Sequence, residues 1–315
     1  MTRTVFAPLP PGAVPPTPRA FVAEQAVSPR SSRMQLVLRS AITGHVRRTL
    51  GTFGQAFTNN GLAVTTNLED VFYTLAPSRS PRRGDGLRVM QLAVASGRRS
   101  LVATGSEPAL SPDDTQLAYG AYPEGLAVRD LHSAQTRTVS LTGQLGGAAN
   151  LTLTSITWLA DEDEVVLAAP AQFIAASKNT STQTATGSCH PQRRPVLVFV
   201  RVPAAPAPLR AHCVTVPGLD TADATLAASP AQPDAVRVSS LTGNGFTIHD
   251  VTATGDVTPI LGKTPGLPLA FSPAGDRLLY LQGHPPALWT ARIQAGGLHA
   301  RHRLVPNSQL GAAAW

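Results

Sequence analysis

Cysteine is nearly absent from this chain: there are two, Cys189 and Cys213, in 315 residues. That excludes a disulfide-dense scaffold and a structural zinc cluster built on cysteines. Aromatic residues make up 5%, too few for the stacked platforms on which single-stranded nucleic acid is bound. Charged residues make up only 14%, which excludes a coiled coil and a charge-expanded disordered chain. No apolar run approaches the roughly 20 residues of a membrane helix, so no transmembrane segment is expected. Familiar catalytic signatures are missing too. There is no G-x-S-x-G elbow, no H-E-x-x-H, no Walker loop and no G-x-G-x-x-G opening a helix. No catalytic, cofactor-binding or metal-binding residue is therefore assigned from motifs.

What is present starts with a core. Hydrophobic residues are 43% of the chain, enough to bury the interior of one large domain. The net charge of +7 raises the question of a nucleic acid partner. Yet only Lys178 and Lys263 are lysines, and the other basic residues are scattered arginines. With abundant Ala, Pro, Thr and Gly, this bias reads as GC-rich codon usage. A nucleic acid partner is not expected.

Residues 1–18 carry one arginine near Met1 but no apolar signal region, and they are rich in proline from Pro8 to Pro18. They read as an extended, flexible leader. The absence of an export signal predicts a cytoplasmic protein. A misassigned start codon would leave export or the cell surface as the alternative.

Residues 19–315 carry a repeat. Short segments rich in Val, Leu, Thr, Tyr and Phe are broken by turn residues every 6 to 12 positions. No long 3.6-residue apolar period is found, which predicts an all-β fold. Leu110-Ser-Pro-Asp-Asp-Thr-Gln-Leu-Ala-Tyr119 aligns without a gap on Phe271-Ser-Pro-Ala-Gly-Asp-Arg-Leu-Leu-Tyr280. The same frame accepts Val64–Tyr73, Trp158–Leu167 and, more loosely, the stretch from Ala228-Ser229-Pro230. Each copy reads as a strand end, a polar turn and a second apolar strand, with Ser-Pro and an acidic residue or glycine making the bend. A second set of turns follows in the same order: Thr43–Gly44, Ser96–Gly97, Ser133–Ala134, Thr254–Gly255 and Gly296–Gly297.

The frames begin at 64, 110, 158, 228 and 271, spaced by 46, 48, 70 and 43 residues. Four strands per 40–50 residues is the period of a β-propeller blade. The long spacing contains an insertion at about 170–193. The next frame would begin at Trp315, so Leu310–Trp315 reads as an innermost strand with nothing after it. Phe21–Val27, Gln35–Ile42 and His45–Leu50 read as three strands lacking an innermost one. The prediction is a six-bladed β-propeller closed by a composite blade of one C-terminal and three N-terminal strands.

Pro108–Tyr119 and Ala270–Tyr280, followed by Leu126–Asp130 and Ala287–Trp289, resemble the WD40-like, TolB-type β-propeller repeat family. The fuller arrangement resembles propellers of high-GC Gram-positive bacteria. The resemblance implies a ring that binds proteins or ligands and no particular chemistry.

Cys189-His190 and His212-Cys213 mirror each other and raise a zinc reading. Adjacent side chains on a strand point to opposite faces, which argues against a shared ion. The two cysteines form either a disulfide, which needs the insertion to fold back on the outer strand of its own blade, or two free thiols. His249-Asp250 reads as one side chain on each face of a strand. Asp161-Glu162-Asp163-Glu164 could hold calcium but occupies the polar turn of the repeat, where solvated carboxylates belong anyway. Trp158, Trp289 and Trp315 read as core. The expected function is a monomeric, non-catalytic binding scaffold for a protein or small ligand, with no cofactor. The alternative is a lactonase-like or phytase-like metal-dependent hydrolase at the channel mouth, which needs carboxylates converging from different blades.

Overall fold

The computed structural model describes residues 19–28, 31, 33–53, 61–75, 86–121, 125–141, 155–160, 164–169, 196–203, 209–216, 219, 224–243, 245–294, 296–306 and 310–315. The leader, residues 1–18, and the insertion at 170–193 lie outside them.

Among the described residues there are strands and turns but no helix. β1 (Ala20–Ala26), β2 (Met34–Ser40) and β3 (Val46–Phe53) belong to one sheet. β4 (Leu62–Val64), β5 (Asp70–Leu75), β6 (Arg88–Ala93) and β7 (Arg99–Thr104) make blade one. β8 (Ser106–Leu110), β9 (Gln116–Ala121), β10 (Gly125–Asp130) and β11 (Thr136–Ser140) make blade two. Blade three is β12 (Ser155–Trp158), β13 (Glu164–Ala169), β14 (Val196–Arg201) and β15 (Arg210–Thr215). Blade four is β16 (Thr225–Ala228), β17 (Ala235–Thr242), β18 (Gly245–Thr252) and β19 (Val257–Pro265). Blade five is β20 (Leu267–Phe271), β21 (Arg277–Gln282), β22 (Ala287–Gln294) and β23 (Gly297–Val305). The chain ends on β24 (Leu310–Ala314), which pairs antiparallel with β1 through Val22↔Ala314, Ala23↔Ala313 and Gln25↔Leu310.

The sixth, closing blade is therefore β24-β1-β2-β3, with one strand from the C-terminus and three from the N-terminus. The innermost strands neighbour one another all the way round the ring. The six-bladed propeller and its composite closure are as the repeat predicted. Each of the five frames starts on the last residue of an innermost strand: Val64, Leu110, Trp158, Ala228 and Phe271.

The core lies between blades. Six hydrophobic clusters occupy the six interfaces, one in each. The two-residue period of a strand explains the partition. On β13, Val165 and Leu167 pack toward blade two, whereas Val166 and Ala168 pack toward blade four. Trp315 is buried at the closing interface against Phe21, with ring centroids 5.9 Å apart. Trp158 is buried as well, and its indole N–H donates to the Ala109 carbonyl of blade two at 3.0 Å.

Arginines tie blades together. Arg99 donates to the Thr52 carbonyl of the closing blade (2.9 Å), Arg129 to Val102 of blade one (3.2 Å) and Arg137 to Pro203 of blade three. Arg237 donates to the Gly275 carbonyl of blade five at 2.6 Å. Part of the basic excess is thus engaged in capping backbone carbonyls that face a neighbouring blade.

Alternating strand direction sends the connections to two faces. The first-to-second and third-to-fourth strand connections lie on one face, here called the short-turn face. The second-to-third and blade-to-blade connections lie on the other, the long-connection face. The short-turn face carries the repeated turns, and their geometry repeats in detail. Leu68, Asp114 and Gly275, each four residues into its frame, all have positive φ (59°, 59° and 66°). In each, that residue's N–H donates to the carbonyl three residues back: Thr65, Ser111 and Ser272. The outer hairpins put Gly44, Gly97, Ala134, Gly255 and Gly296 at positive φ.

Candidate functional site at the long-connection face

Two buried glutamates with unpartnered carboxyl oxygens mark the long-connection face. Glu24 lies two residues before the end of β1, just before the connection at 27–33. It is 1% exposed, and neither carboxylate oxygen has a hydrogen-bond partner. The β1–β24 ladder slips beside it, between Ala23 and Gln25. A slip of this kind unpairs the local backbone and re-aims a side chain. Glu107 is the second residue of β8, next to the blade-to-blade connection at Gly105. It too is buried, with Oε1 unpartnered. It too sits in a ladder slip, between Ser106 and Ala109, with φ at +56°. A bulky residue in that region is uncommon and strained.

Blade one lies between them and joins them. The Glu107 backbone N–H donates to Thr74 Oγ1 at 3.2 Å. Thr74 in turn lines a small cavity with Glu24, Gly61, Phe53, Leu62 and Tyr73. Gly61, at φ +87°, closes the other side. A side-chain carbon there would lie 2.5 Å from Glu107 Cα, so only glycine lets these backbones approach. Glu24 of the closing blade and the Glu107 backbone of blade two thus both adjoin the inner end of blade one.

Burial governs the electrostatics. Desolvation pushes the Glu24 carboxyl up to about 8. It also pushes Glu107 well above the usual carboxylate range. Both shifts come from losing water with no compensating charge. Arg39, buried in β2, gives its guanidinium to the Gly44 carbonyl (2.6 Å) and the Gln25 amide oxygen. Burial also raises the Tyr73 hydroxyl, against a smaller opposing effect of Arg99.

The residues singled out in the sequence lie elsewhere. Cys213 is on β15 opposite Val198 and packs on the interface of blades two and three. His212 turns to the other side of the sheet, stacks on Phe199 at 5.3 Å and has Nε2 3.2 Å from the Ala253 carbonyl oxygen. The two side chains diverge as strand geometry requires. Cys189, His190 and Asp161–Asp163 lie outside the described residues. Glu164 opens β13. Among the described residues, no group of three or more His, Cys, Asp or Glu side chains is placed to hold a metal ion.

His249 and Asp250 also part company. Asp250 is buried on β18 and accepts from Arg237 Nε at 2.8 Å, Arg237 Nη2 at 2.9 Å and Ser229 Oγ at 2.6 Å. The His249 imidazole is half-buried on the opposite side, and burial lowers its pKa against the raising effect of Asp250. Trp289 is partly buried and carries the Arg301 guanidinium 5.4 Å over its ring.

Sequence reasoning missed Glu24 and Glu107, which are separated by two blades' worth of chain. The only local signal was charge on an otherwise apolar strand: Glu24 in Ala-Phe-Val-Ala-Glu-Gln-Ala and Glu107 before Pro108.

The fold and this geometry define a six-bladed β-propeller with its irregular connections on one face. No family model and no curated protein matches the chain in sequence. Solved structures match the fold. TolB from Acinetobacter baumannii superposes with a TM-score of 0.59 at 15% identity, over 94% of this chain and 65% of that one. The present chain thus spans about two thirds of that TolB. A structure of the nidogen/laminin complex matches with a TM-score of 0.56 at 9% identity, over 94% and 97% of the two chains. A Bacteroides uniformis protein provisionally named a 6-phosphogluconolactonase gives a TM-score of 0.51 at 11% identity, over 94% and 99%. At these identities the likeness is one of fold.

Proposed function

We propose that this chain is a binding propeller of the WD40-like, TolB-type repeat family that engages a protein or small ligand through its long-connection face. One observation carries the proposal: the connections of that face are irregular where those of the other face repeat. Connections of the short-turn face run 65–69, 111–115, 159–163, 229–234 and 272–276 between inner strands, nearly uniform in length. On the opposite face the second-to-third strand connections run in length from 243–244 to 170–195. Function on a rigid scaffold resides in such variable loops. The repeated Ser/Thr turns with positive φ at their fourth position support membership of the repeat family.

Affinity capture from native cell extract tests the face assignment. The wild-type chain is compared with a variant in which residues 172–190 are replaced by a short Gly-Ser linker, and with Asp113→Asn/Asp256→Asn on the short-turn face. The wild-type partner should be lost with the first variant and kept with the second. The opposite pattern overturns the assignment.

A second reading is a metal-dependent hydrolase. The buried, unpartnered Glu24 carboxyl lining a small cavity at this end of the ring favours it. Hydrolysis of an aldonolactone by the purified chain with added Ca2+, Mg2+ or Mn2+, abolished in Glu24→Gln, is the result that would establish it.

We also propose that Cys189 is linked to Cys213, tying the insertion to the outer strand of blade three. In its support, no free cysteine occurs among the described residues. The link belongs with export, since cytosolic thiols stay reduced. Peptide mapping of the native protein without reductant, showing two alkylated thiols, would refute it.

A further inference from the structure

We infer that Arg277, Arg292 and His299 form a binding site for one phosphate group at the seam between blade five and the closing blade. The site lies at the short-turn end of the ring and is independent of the partner-binding face.

Register brings the three residues into one row. Arg277 opens β21, Arg292 lies directly opposite it on β22, and His299 lies opposite Arg292 on β23. Directly opposed residues place their side chains on one side of the sheet, with Cβ atoms about 5 Å apart. Leu279 and Leu288, two and four residues away on the same strands, belong to the core between blade five and the closing blade. The row therefore faces the closing blade. Across the seam stands Arg19, exposed, two residues before Phe21, which packs in that same core.

The repeat shows how unusual this row is. Arg277 is the seventh residue of its frame. The seventh residues of the other ungapped frames are Asp70, Gln116 and Glu164, opposite Ala93, Asp130 and Arg201. Blade three thus sets opposite charges where blade five sets two arginines. Like charges directly opposite each other destabilise a sheet. Among the described residues neither arginine has an ion-pair partner. The Nε of Arg277 is buried and has no hydrogen-bond partner. Asp276, the adjoining acid, has its carboxylate engaged by Ser272 Oγ at 2.9 Å. More widely, the sequence carries six arginines in residues 19–68 and four in 277–315, against one acidic residue, Glu24. That glutamate is buried near the other end of β1.

The chemistry that matches this row is an oxyanion of double charge. Two planar guanidinium forks on one side of a sheet suit the oxygens of a phosphate, which each can grip through two N–H groups. His299 adds an N–H in either tautomer. A phosphate dianion balances both arginines, whereas a carboxylate balances one. Arg292 and His299 are exposed and Arg277 is partly so, which leaves the row open to a ligand.

The test titrates the full chain with inorganic phosphate at low salt, read by phosphorus NMR line width and by thermal melting. One phosphate should bind per chain with a Kd of about 1 mM or below and raise Tm. Arg292→Gln should weaken binding about tenfold or more, as loss of a charged hydrogen-bond donor does. Arg277→Glu, which recreates the Glu–Arg pair of blade three, should abolish binding and leave the ligand-free Tm equal or higher. Arg47→Gln, on the outer strand of the closing blade, should change neither. Absence of saturable phosphate binding by the wild type overturns the inference, as does binding that survives unweakened in Arg292→Gln. Arg292 is exposed, so its variant decides even if Arg277→Glu fails to fold. Two further arms identify the source of the phosphate. Tighter binding of glycerol phosphate than of inorganic phosphate assigns a soluble ester. Preferential binding to vesicles containing phosphatidic acid, lost in Arg277→Glu, assigns a lipid headgroup.

Discussion

The two faces of the ring are built on different rules. The short-turn face carries first-to-second strand turns of nearly uniform length, 65–69, 111–115, 159–163, 229–234 and 272–276. Its buried carboxylate, Asp250, is matched: it accepts from Arg237 and Ser229, and Arg237 reaches Gly275 of the next blade. The long-connection face has connections of unequal length and two buried glutamates, Glu24 unpartnered at both carboxyl oxygens and Glu107 at Oε1. A buried carboxylate with its charge and hydrogen bonds matched is accounted for by stability. A buried carboxyl without a partner, such as Glu24, costs stability in its charged form instead.

The largest expected effect is on closure, at the short-turn end of the ring. Removing residues 310–315 takes away the innermost strand of the closing blade and exposes both an apolar face and an open sheet edge. The truncated chain should aggregate or lose most of its stability; Trp315→Ala alone should cost about 3–5 kcal/mol. A truncation that melts within about two degrees of the full chain would show that the β24–β1 ladder does not close the ring in solution.

Next comes the buried ion pair. Asp250→Ala strands the Arg237 guanidinium in a dry interface and should cost about 3–5 kcal/mol by urea titration. Arg237→Met with Asp250→Leu should recover much of this, because removing both charges removes the desolvation cost. A single variant as stable as wild type would mean that this face tolerates unmatched charge, and the contrast between faces would fall.

Glu24 should behave in the opposite sense. Its folded-state pKa is about 8 against an ordinary value of 4.5. The folded protein therefore holds a proton that the unfolded chain releases. The stabilisation is present below pH 4.5 and is lost as pH rises through about 8. In metal-free protein, Glu24→Gln should flatten this fall and raise stability at pH 9 by about 3–5 kcal/mol, one pKa unit being about 1.4 kcal/mol. A stability profile unchanged by the substitution would show that the Glu24 carboxyl is not desolvated.

Smaller effects follow. Gly275→Ala puts a methyl group 2.4 Å from the Ala228 carbonyl oxygen at φ +66°, and should cost about 1–3 kcal/mol by thermal melting. Replacing 172–190 with a short linker should shift Tm by less than about two degrees while abolishing partner capture, because lengthening or shortening a surface loop changes closure entropy only slightly. A large loss of stability there would make the insertion part of the fold.

Much of the ring was legible before any coordinates. The frames at 64, 110, 158, 228 and 271 each mark the end of an innermost strand, and Leu310–Trp315 meets Phe21–Gln25 across the closing ladder. These features are local. Ser-Pro-Asp-Asp or Ser-Pro-Ala-Gly sets its own turn, alternation along a strand sets its own two faces, and the period follows from adding them up. Adjacent residues also settled His212 with Cys213 and His249 with Asp250, since neighbours on a strand diverge wherever the strand is placed. The candidate site obeys no such rule. Glu24 and Glu107 lie in different blades and both adjoin blade one only because β24 closes the circle beside β1. The arginines read as codon usage in the sequence, yet Arg99, Arg129, Arg137 and Arg237 each cap a carbonyl of another blade. Turn chemistry and side-chain alternation are properties of neighbours along the chain, so the sequence alone determined the blades, their number and their order. Which carboxyls lose water and which carbonyls need a donor depends on what the neighbouring blade presents, and only the closed ring decided that.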